Sequence, residues 1–182
     1  MIPLEPHGIM AKAIHDEESR QSFVHDFRVH LASKVFPGNF STYYSRVLPA
    51  FIKTQGREPE SRHEVRRVMT EDPYYTLWSA MQRNSQEMIW DSVIDPVERQ
   101  LPELIEKASA AGSKGSLELD GSLEIPKYHL AADIHLQPGA YHSDQTINDV
   151  SAGAMYDLGT YIYSMGGLGR GNNALGQITH GF

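Results

Sequence analysis

Apolar side chains recur every three to four positions through the first half of the chain, which is the spacing of an amphipathic α-helix. The pattern predicts a helix over residues 16–35, ended by the Pro-Gly-Asn sequence at 37–39, and a second helix over about 40–52. A turn at 56–60 and a short, highly charged helix at 61–69 are predicted to follow. The apolar positions of the first helix are Phe23, Val24, Phe27, Leu31 and Val35.

Two Asp-Pro pairs, at 72–73 and 95–96, carry the signal that starts a helix. Aspartate caps the free N–H groups of the first turn, and proline fits the first helical position. The pairs predict separate helices over 72–94 and 95–110. The small, Gly- and Ser-rich segment at 108–115 is predicted to be a flexible linker.

The pattern changes to alternation of apolar and polar residues after this linker, which is typical of β-strands. Two alternating runs flank an Asp-Gly pair and predict a β-hairpin over 116–125. A cleaner alternation predicts a third strand over 128–137, ended by a Pro-Gly pair. A last helix is predicted to start near Thr146, which forms a weak capping box with Asp149.

These elements place the chain in the α+β class, mainly helical: a helical body with a small antiparallel sheet and a C-terminal helix. The hairpin and the third strand form the predicted sheet. The length predicts a single domain over 1–182, with a loose arm at 1–15, the linker at 108–115 and a tail at 172–182.

Composition and charge exclude several classes of function. The chain has no cysteine, which excludes disulfides, iron–sulfur clusters and thiol catalysis and suits a cytoplasmic protein. The net charge of −7 argues against a nucleic-acid binder. Acidic residues alternate with the arginines at 57–67, so these are interpreted as a solvated helix face. We expect no signal peptide and no membrane-spanning segment.

The helix predicted at 72–94 carries the first candidate site. Asn84, Glu87 and Asp91 share one of its faces at i, i+3 and i+7. Two carboxylates one turn apart raise each other's proton affinity, which suits a general base or a metal ligand. The alternatives are a buried polar belt, or an ion pair between Glu87 and Arg83.

The strand predicted at 128–137 carries the second candidate site. Asp133 and His135 point to the same side of it, roughly 7 Å apart, so that both can reach one ligand. His142 and Asp144 follow after the turn, and with a helix carboxylate this set would complete a metal site. No motif of adjacent metal ligands supports that interpretation. A metal-free polar pocket and a solvated sheet face are the alternatives.

The last helix contributes a third group of polar residues, on the flank opposite its apolar stripe. Tyrosines in such a position line a ligand cavity or pack at a dimer face. We predict one cofactor-free pocket between these three elements. The predicted catalytic residues are Glu87, Asp91, Asp133 and His135. The residues predicted to bind substrate are Arg83, Asn84, Gln86, Trp90, Tyr141, Tyr156 and Asp157.

The spacing of the glycines at 166–171 resembles that of a phosphate-binding loop. A dinucleotide or S-adenosylmethionine loop lies between a strand and a helix, whereas this one follows a helix. We therefore interpret the glycines as the C-terminal cap of the last helix and the start of the tail.

Five segments resemble the N-terminal, non-Rossmann domain of bacterial class I methyltransferases that use S-adenosylmethionine. They are RHEVRR (62–67), DPYYTLWS (72–79), SQEMIWD (85–91), IHLQPG (134–139) and VSAGAMYD (150–157). The resemblance covers roughly residues 40–170. In that family the methyltransferase domain follows, and here the sequence stops where it would begin. We therefore expect a stand-alone domain that does not use S-adenosylmethionine in the usual way.

A stand-alone domain of this family implies a repurposed tailoring enzyme of bacterial secondary metabolism. The aziridine-forming protein pair of azinomycin-type pathways offers one such reaction, in which a neighbouring amine displaces sulfate and closes a ring. The reaction needs a carboxylate that deprotonates the ammonium, and a cation that receives the sulfate. Glu87, Asp91 or Asp133 would take the first role. Arg83 or His135 would take the second.

Three functions therefore remain open from the sequence. The first is a cofactor-free small-molecule enzyme that works with a partner chain. The second is a non-catalytic module that binds substrate or dimerises and so completes a methyltransferase-like partner. The third is a metal-dependent enzyme that uses Glu87, Asp91, His135 and His142.

Overall fold

The protein is mainly helical in the residues that the computed structural model describes, which are 8–111, 116, 118–131, 133, 135–139, 146 and 149–169. The helices are α1 (His15–His30), α2 (Pro37–Thr42), α3 (Leu48–Gln55), α4 (Arg62–Met69), α5 (Pro73–Ala111), α6 (Lys127–Ala131) and α7 (Val150–Tyr163). The chain divides into two compact units. One consists of Met1–His25 with Gln86–Phe182, and the other of Asp26–Ser85.

The predicted antiparallel sheet is wrong, because no strand occurs in the described residues. In place of the hairpin at 116–125, the described backbone is irregular around a turn, where the Leu123 N–H donates to the Asp120 carbonyl at 3.2 Å. In place of the strand at 128–137 there is helix α6, and the described residues 133 and 135–137 after it have irregular backbone.

The solvent exposure of the apolar side chains explains why the alternating pattern does not form strands. Leu119 and Leu123 are 77% and 72% exposed, so the alternation has no buried face to pair against. A two-stranded ribbon without a covered face is at best marginally stable in water. Pro126 instead favours a helix start, and its carbonyl accepts the His129 N–H at 2.9 Å.

Two prolines in the Asp26–Ser85 unit are each preceded by a wider helical turn, and the helical backbone continues past both of them. Pro37 and Pro49 each lie two residues after a π-turn, Leu31–Val35 and Tyr43–Val47 respectively. In each case the residue before the proline donates its N–H to the carbonyl five residues back, as Phe36 does at 2.8 Å. A proline has no N–H, and its ring clashes with the carbonyl four residues back. The wider turn relieves that clash, so the predicted stop at 37–39 is wrong.

A close approach between α2 and α5 depends on one glycine in this unit. The Tyr74 hydroxyl donates to the Val35 carbonyl at 2.7 Å. A β-carbon at Gly38 would lie 2.0 Å from that hydroxyl oxygen. Only glycine therefore leaves room for the tyrosine.

The predicted starts of α4 and α5 are confirmed. The Ser61 hydroxyl accepts the Glu64 N–H at 3.3 Å, and the Asp72 carboxylate accepts the Tyr74 N–H at 2.8 Å. Both are N-terminal caps that satisfy backbone donors of the first helical turn.

Helix α5 is one continuous element of 39 residues, so the predicted break at 95–96 is wrong. Pro96 lies inside the helix and is fully buried. It has no N–H for the Ser92 carbonyl four residues back. The Gln21 side-chain amide of α1 donates to that carbonyl at 3.1 Å instead. The helix also continues to Ala111, through the first part of the predicted linker.

The core of the Met1–His25 and Gln86–Phe182 unit lies where α1, α5 and α7 pack together. Its buried apolar side chains include Val24, Ile89, Val93, Leu104, Met155 and Ile162. α7 begins one turn later than predicted, with Asp149 as the N-terminal cap. Gly166 ends the helical turns at a positive φ of 77°, and its N–H donates to the Tyr161 carbonyl at 2.9 Å. The glycine cap is therefore confirmed for the described residues 166–169.

None of the helices in the described residues combines the length and the apolar character that a membrane crossing requires.

Candidate functional site

The backbone of His135, which lies in the described residues 135–139 before α7, is bonded to α5. The His135 carbonyl accepts the Trp90 indole N–H at 2.5 Å and the Gln86 side-chain amide at 2.9 Å. The Asp133 carboxylate accepts the His135 N–H at 2.9 Å. A carbonyl oxygen has two lone pairs, so these two donors use its full capacity. The backbone that carries the histidine ring is thereby held at both ends.

The two residues after His135 continue this constrained geometry. Leu136 has a positive φ of 56°, a conformation that costs a residue with a β-carbon about 1–2 kcal/mol. Gln137 is buried, and its amide donates to the Ala152 carbonyl of α7 at 3.2 Å. Its Oε1 atom has no hydrogen-bond partner among the described residues. Strained and unsatisfied groups of this kind concentrate at functional sites.

A small pocket lies beside the histidine ring, with a volume of about 10 Å³. Its lining residues are Trp90, His135, Tyr156, Thr160 and Tyr163. The Tyr163 ring stands edge to face with the His135 ring, at a centroid separation of 5.8 Å and an angle of 89°. The volume has room for a group the size of a water molecule. Tyr156 and Tyr163 are 46% and 43% exposed.

A glycine on α7 sets the position of the Trp90 indole in this pocket. A β-carbon at Gly159 would lie 2.8 Å from the indole Cζ3 atom, closer than such atoms approach in folded proteins. Trp90 is buried and donates its only N–H to His135. Gly159 therefore determines how close α7 comes to the tryptophan.

The structure brings some of the predicted site residues together. His135, Trp90 and Tyr156 line the pocket, while Gln86 and Asp133 hold the His135 backbone. Thr160 and Tyr163 complete the lining. The periodicity of the last helix places both on the same flank as Tyr156, which was the available signal for them.

Other predicted residues do not line this pocket. Glu87 is half-buried and Asp91 is exposed on α5, and Asp157 is half-buried on α7. Arg83 and Asn84 are exposed and belong to the Asp26–Ser85 unit. Tyr141, His142 and Asp144 lie outside the described residues.

The residues suggested for a metal site do not meet in the described part of the chain. No group of three or more His, Asp or Glu side chains lies there in a position to hold a metal ion. Glu87 and Asp91 therefore do not form such a group with His135. The predicted fourth member, His142, is among the residues that the structure does not describe.

A larger concave feature lies wholly within the Asp26–Ser85 unit, and we call it the α3–α4 groove. Its volume is about 470 Å³. It is lined by Arg46, Val47, Ala50, Phe51, Thr54, Gln55, Arg67, Val68, Glu71, Asp72 and Pro73. The groove was not predicted, because its lining residues come from separate helices and their turns.

An ion pair orders the segment before α4. Arg57 Nη1 and Nη2 donate to the two Glu64 carboxylate oxygens at 3.0 and 2.8 Å, and the Glu60 N–H donates to the same carboxylate at 2.9 Å. The hydrogen bond from Arg57 is the main reason why the pKa of Glu64 falls from 4.5 to about 2. Glu64 is therefore ionised at every pH near neutrality.

Comparison of the chain with protein-family models, with curated proteins and with solved structures finds no match. The relation to the N-terminal domain of methyltransferases therefore stays a prediction from the sequence.

Proposed function

We propose that the chain is a small-molecule enzyme in which His135 transfers a proton at the pocket formed with α5 and α7. The observation that carries the proposal is the fixing of the His135 backbone by Trp90, Gln86 and Asp133. Histidine is the side chain that most often acts as general acid or base in enzymes. A rate gain from proton transfer depends on a fixed geometry of this kind.

The size of the pocket limits what it can accept. A volume of about 10 Å³ takes a single small group, such as an ammonium, rather than a whole substrate. Aromatic faces attract such a cation through their ring electrons. The rest of a substrate would then lie over the exposed rings of Tyr156 and Tyr163.

The reaction class that we propose is ring closure of a 2-amino sulfate ester, with no cofactor in the step. The substrate ammonium gives a proton to the His135 imidazole. The amine nitrogen then forms a bond to the carbon that carries the ester, and the carbon–oxygen bond breaks. Sulfate leaves with the electron pair of that bond. We also propose a cytoplasmic location, which the absence of cysteine suits.

Sulfate release from 2-aminoethyl hydrogen sulfate, measured by ion chromatography, tests this proposal. His135→Gln should lower the rate about 100-fold, because general acid–base catalysis contributes at least that much. His129→Gln is the matched control, since His129 is an exposed histidine on α6, and it should leave the rate unchanged. Release that does not exceed the rate in buffer, or that is the same in His135→Gln, contradicts the proposed reaction.

A second function, as a self-associating module, is favoured by an aromatic stripe in the Asp26–Ser85 unit. Phe36, Phe40 and Tyr44 are spaced at i, i+4 and i+8, and they are 40%, 57% and 65% exposed. The rings of Phe36 and Phe40 pack edge to face at 5.5 Å. A ridge of side chains at this spacing is what a second helix packs against. A two-fold dimer of this chain would cover the stripe with its own copy.

Sedimentation velocity over a range of concentrations tests this second function. The wild-type protein should form dimers, and the double variant Phe40→Ser, Tyr44→Ser should be monomeric, because it loses apolar area at the interface. Phe23→Ser removes an exposed aromatic residue outside the stripe and should leave the dimer intact. A wild-type protein that is monomeric throughout would show that the stripe does not mediate self-association.

A further inference from the structure

The α3–α4 groove has an apolar floor that suits the body of a small organic molecule. The floor consists of Val47, Ala50, Phe51 and Val68, and Phe51 is 7% exposed. The volume of about 470 Å³ lies within the range of small-molecule sites. Thr54 and Gln55 add neutral polar groups to the lining.

Two of the four charged residues that line the groove neutralise each other. Arg46 Nη2 donates to both carboxylate oxygens of Asp72 at 3.0 Å. The Asp72 carboxylate also caps α5 through the Tyr74 N–H. This ion pair stabilises the unit, and its two charges largely neutralise each other, so it attracts a charged ligand only weakly.

Arg67 is the cation of the groove that keeps its hydrogen-bonding capacity. Within the described residues its ion-pair partner is Glu64, at 3.9 Å, and its side chain is 70% exposed. Glu64 is already bound by two nitrogens of Arg57 and by the Glu60 N–H. The Arg67 guanidinium is therefore available for a carboxylate, which it can bind through two parallel hydrogen bonds.

Glu71 is the corresponding carboxylate of the groove. It lies in the turn between α4 and α5, and its N–H donates to the Val68 carbonyl at 3.3 Å. Its side chain forms no ion pair with any of the described residues, Arg67 included. The groove thus presents one available cation and one available anion beside an apolar floor.

We propose that the α3–α4 groove binds a small zwitterion with an apolar body, of the chemical class of the free apolar α-amino acids. The ligand carboxylate pairs with Arg67, the ammonium pairs with Glu71, and the apolar side chain lies on Phe51 and its neighbours. A ligand with a single charge would leave one of the two groove charges without a partner. This site shares no residue with the His135 pocket, so it is independent of the proposed reaction.

Ligand-observed NMR with L-phenylalanine tests the proposal, with 3-phenylpropanoate and 2-phenylethylamine as probes that each lack one charge. Phenylalanine should bind about fivefold more tightly than either probe, since each partly exposed ion pair contributes up to about 1 kcal/mol. Equal binding of 3-phenylpropanoate would overturn the zwitterion and leave a site for organic anions. No binding of phenylalanine at millimolar concentration would overturn the site itself.

Variants identify the groove as the binding site. Arg67→Gln and Glu71→Gln should each weaken phenylalanine binding about fivefold. Arg62→Gln is the control for Arg67→Gln, because it removes an exposed arginine of the same helix outside the groove. Unchanged binding in both groove variants would overturn the proposed contacts.

Filling the groove tests the proposal without removing a charge. Ala50 is exposed on α3 and lines the groove, so that Ala50→Leu should occupy the floor and abolish binding. Ala80→Leu makes the same substitution at an exposed position of α5 outside the groove. It should bind phenylalanine as the wild type does. Binding that survives Ala50→Leu would place the ligand elsewhere.

Discussion

Side chains that bond to backbone atoms hold the irregular parts of this protein in place. Trp90 and Gln86 supply the two donors that the His135 carbonyl would otherwise lack. Glu17 does the same for α1, where its carboxylate accepts the Ile14 N–H at 2.8 Å and two nitrogens of Arg99. The hydrogen bond from Arg99 is the main reason why the pKa of Glu17 is lowered. In each case polar side chains replace the backbone hydrogen bonds that a regular element would supply.

The ion pair of Glu64 predicts a dependence of stability on pH at the residue scale. The pKa of Glu64 is about 2 in the folded protein against an ordinary 4.5, so the stabilisation is fully present above 4.5. It is lost as the pH falls through about 2. Glu64→Gln should therefore lose less stability than the wild type between pH 5 and pH 2.5. Urea unfolding at the two pH values measures this.

Glu58→Gln serves as the control for that experiment. Glu58 is an exposed carboxylate close to Arg57, and its replacement should leave the pH dependence of the wild type in place. An equal loss of stability in Glu64→Gln and in the wild type would show that protonation of Glu64 in its pair with Arg57 does not cause the loss in acid.

Helix α5 stays continuous through Pro96 because a side chain of another helix takes over the bond that proline cannot form. Gln21→Ala should destabilise the protein by about 1–2 kcal/mol, since the Ser92 carbonyl is then left unsatisfied. In a Pro96→Ala background, residue 96 regains its own N–H for that carbonyl. The cost of Gln21→Ala should therefore be smaller there, and a double-mutant cycle by urea unfolding measures the difference. Equal costs in both backgrounds contradict this account, and Ser22→Ala, an exposed neighbour, is the control.

The helix starts at Ser61 and Asp72 were predictable from the sequence because a cap depends on neighbouring residues alone. The continuity of α5 through Pro96 and the absence of the predicted sheet were not predictable in this way. The first depends on Gln21, which is distant in sequence, and the second on whether the alternating apolar side chains find a surface that buries them. For the same reason the sequence pointed to Trp90 and His135 but not to their hydrogen bond. The groove was missed because its lining comes from separate elements.

Charge is the property of the whole molecule that bears most directly on what it binds. The chain carries a net charge of −7, so a ligand with only negative charge is repelled at long range. A zwitterion has no net charge and is not repelled. The ammonium group that we assign to the His135 pocket is attracted. The two compact units each hold one of these candidate sites.

The two π-turns before Pro37 and Pro49 have a consequence for how the chain tolerates insertions and deletions. A π-turn holds one residue more than an α-turn, so each one is a place where a helix can accommodate an inserted residue. In a regular α-helix the same extra residue would rotate every side chain beyond it by about 100° around the helix axis. A variant that lacks Pro37 together with one residue of the π-turn before it should therefore keep the same apolar face in register.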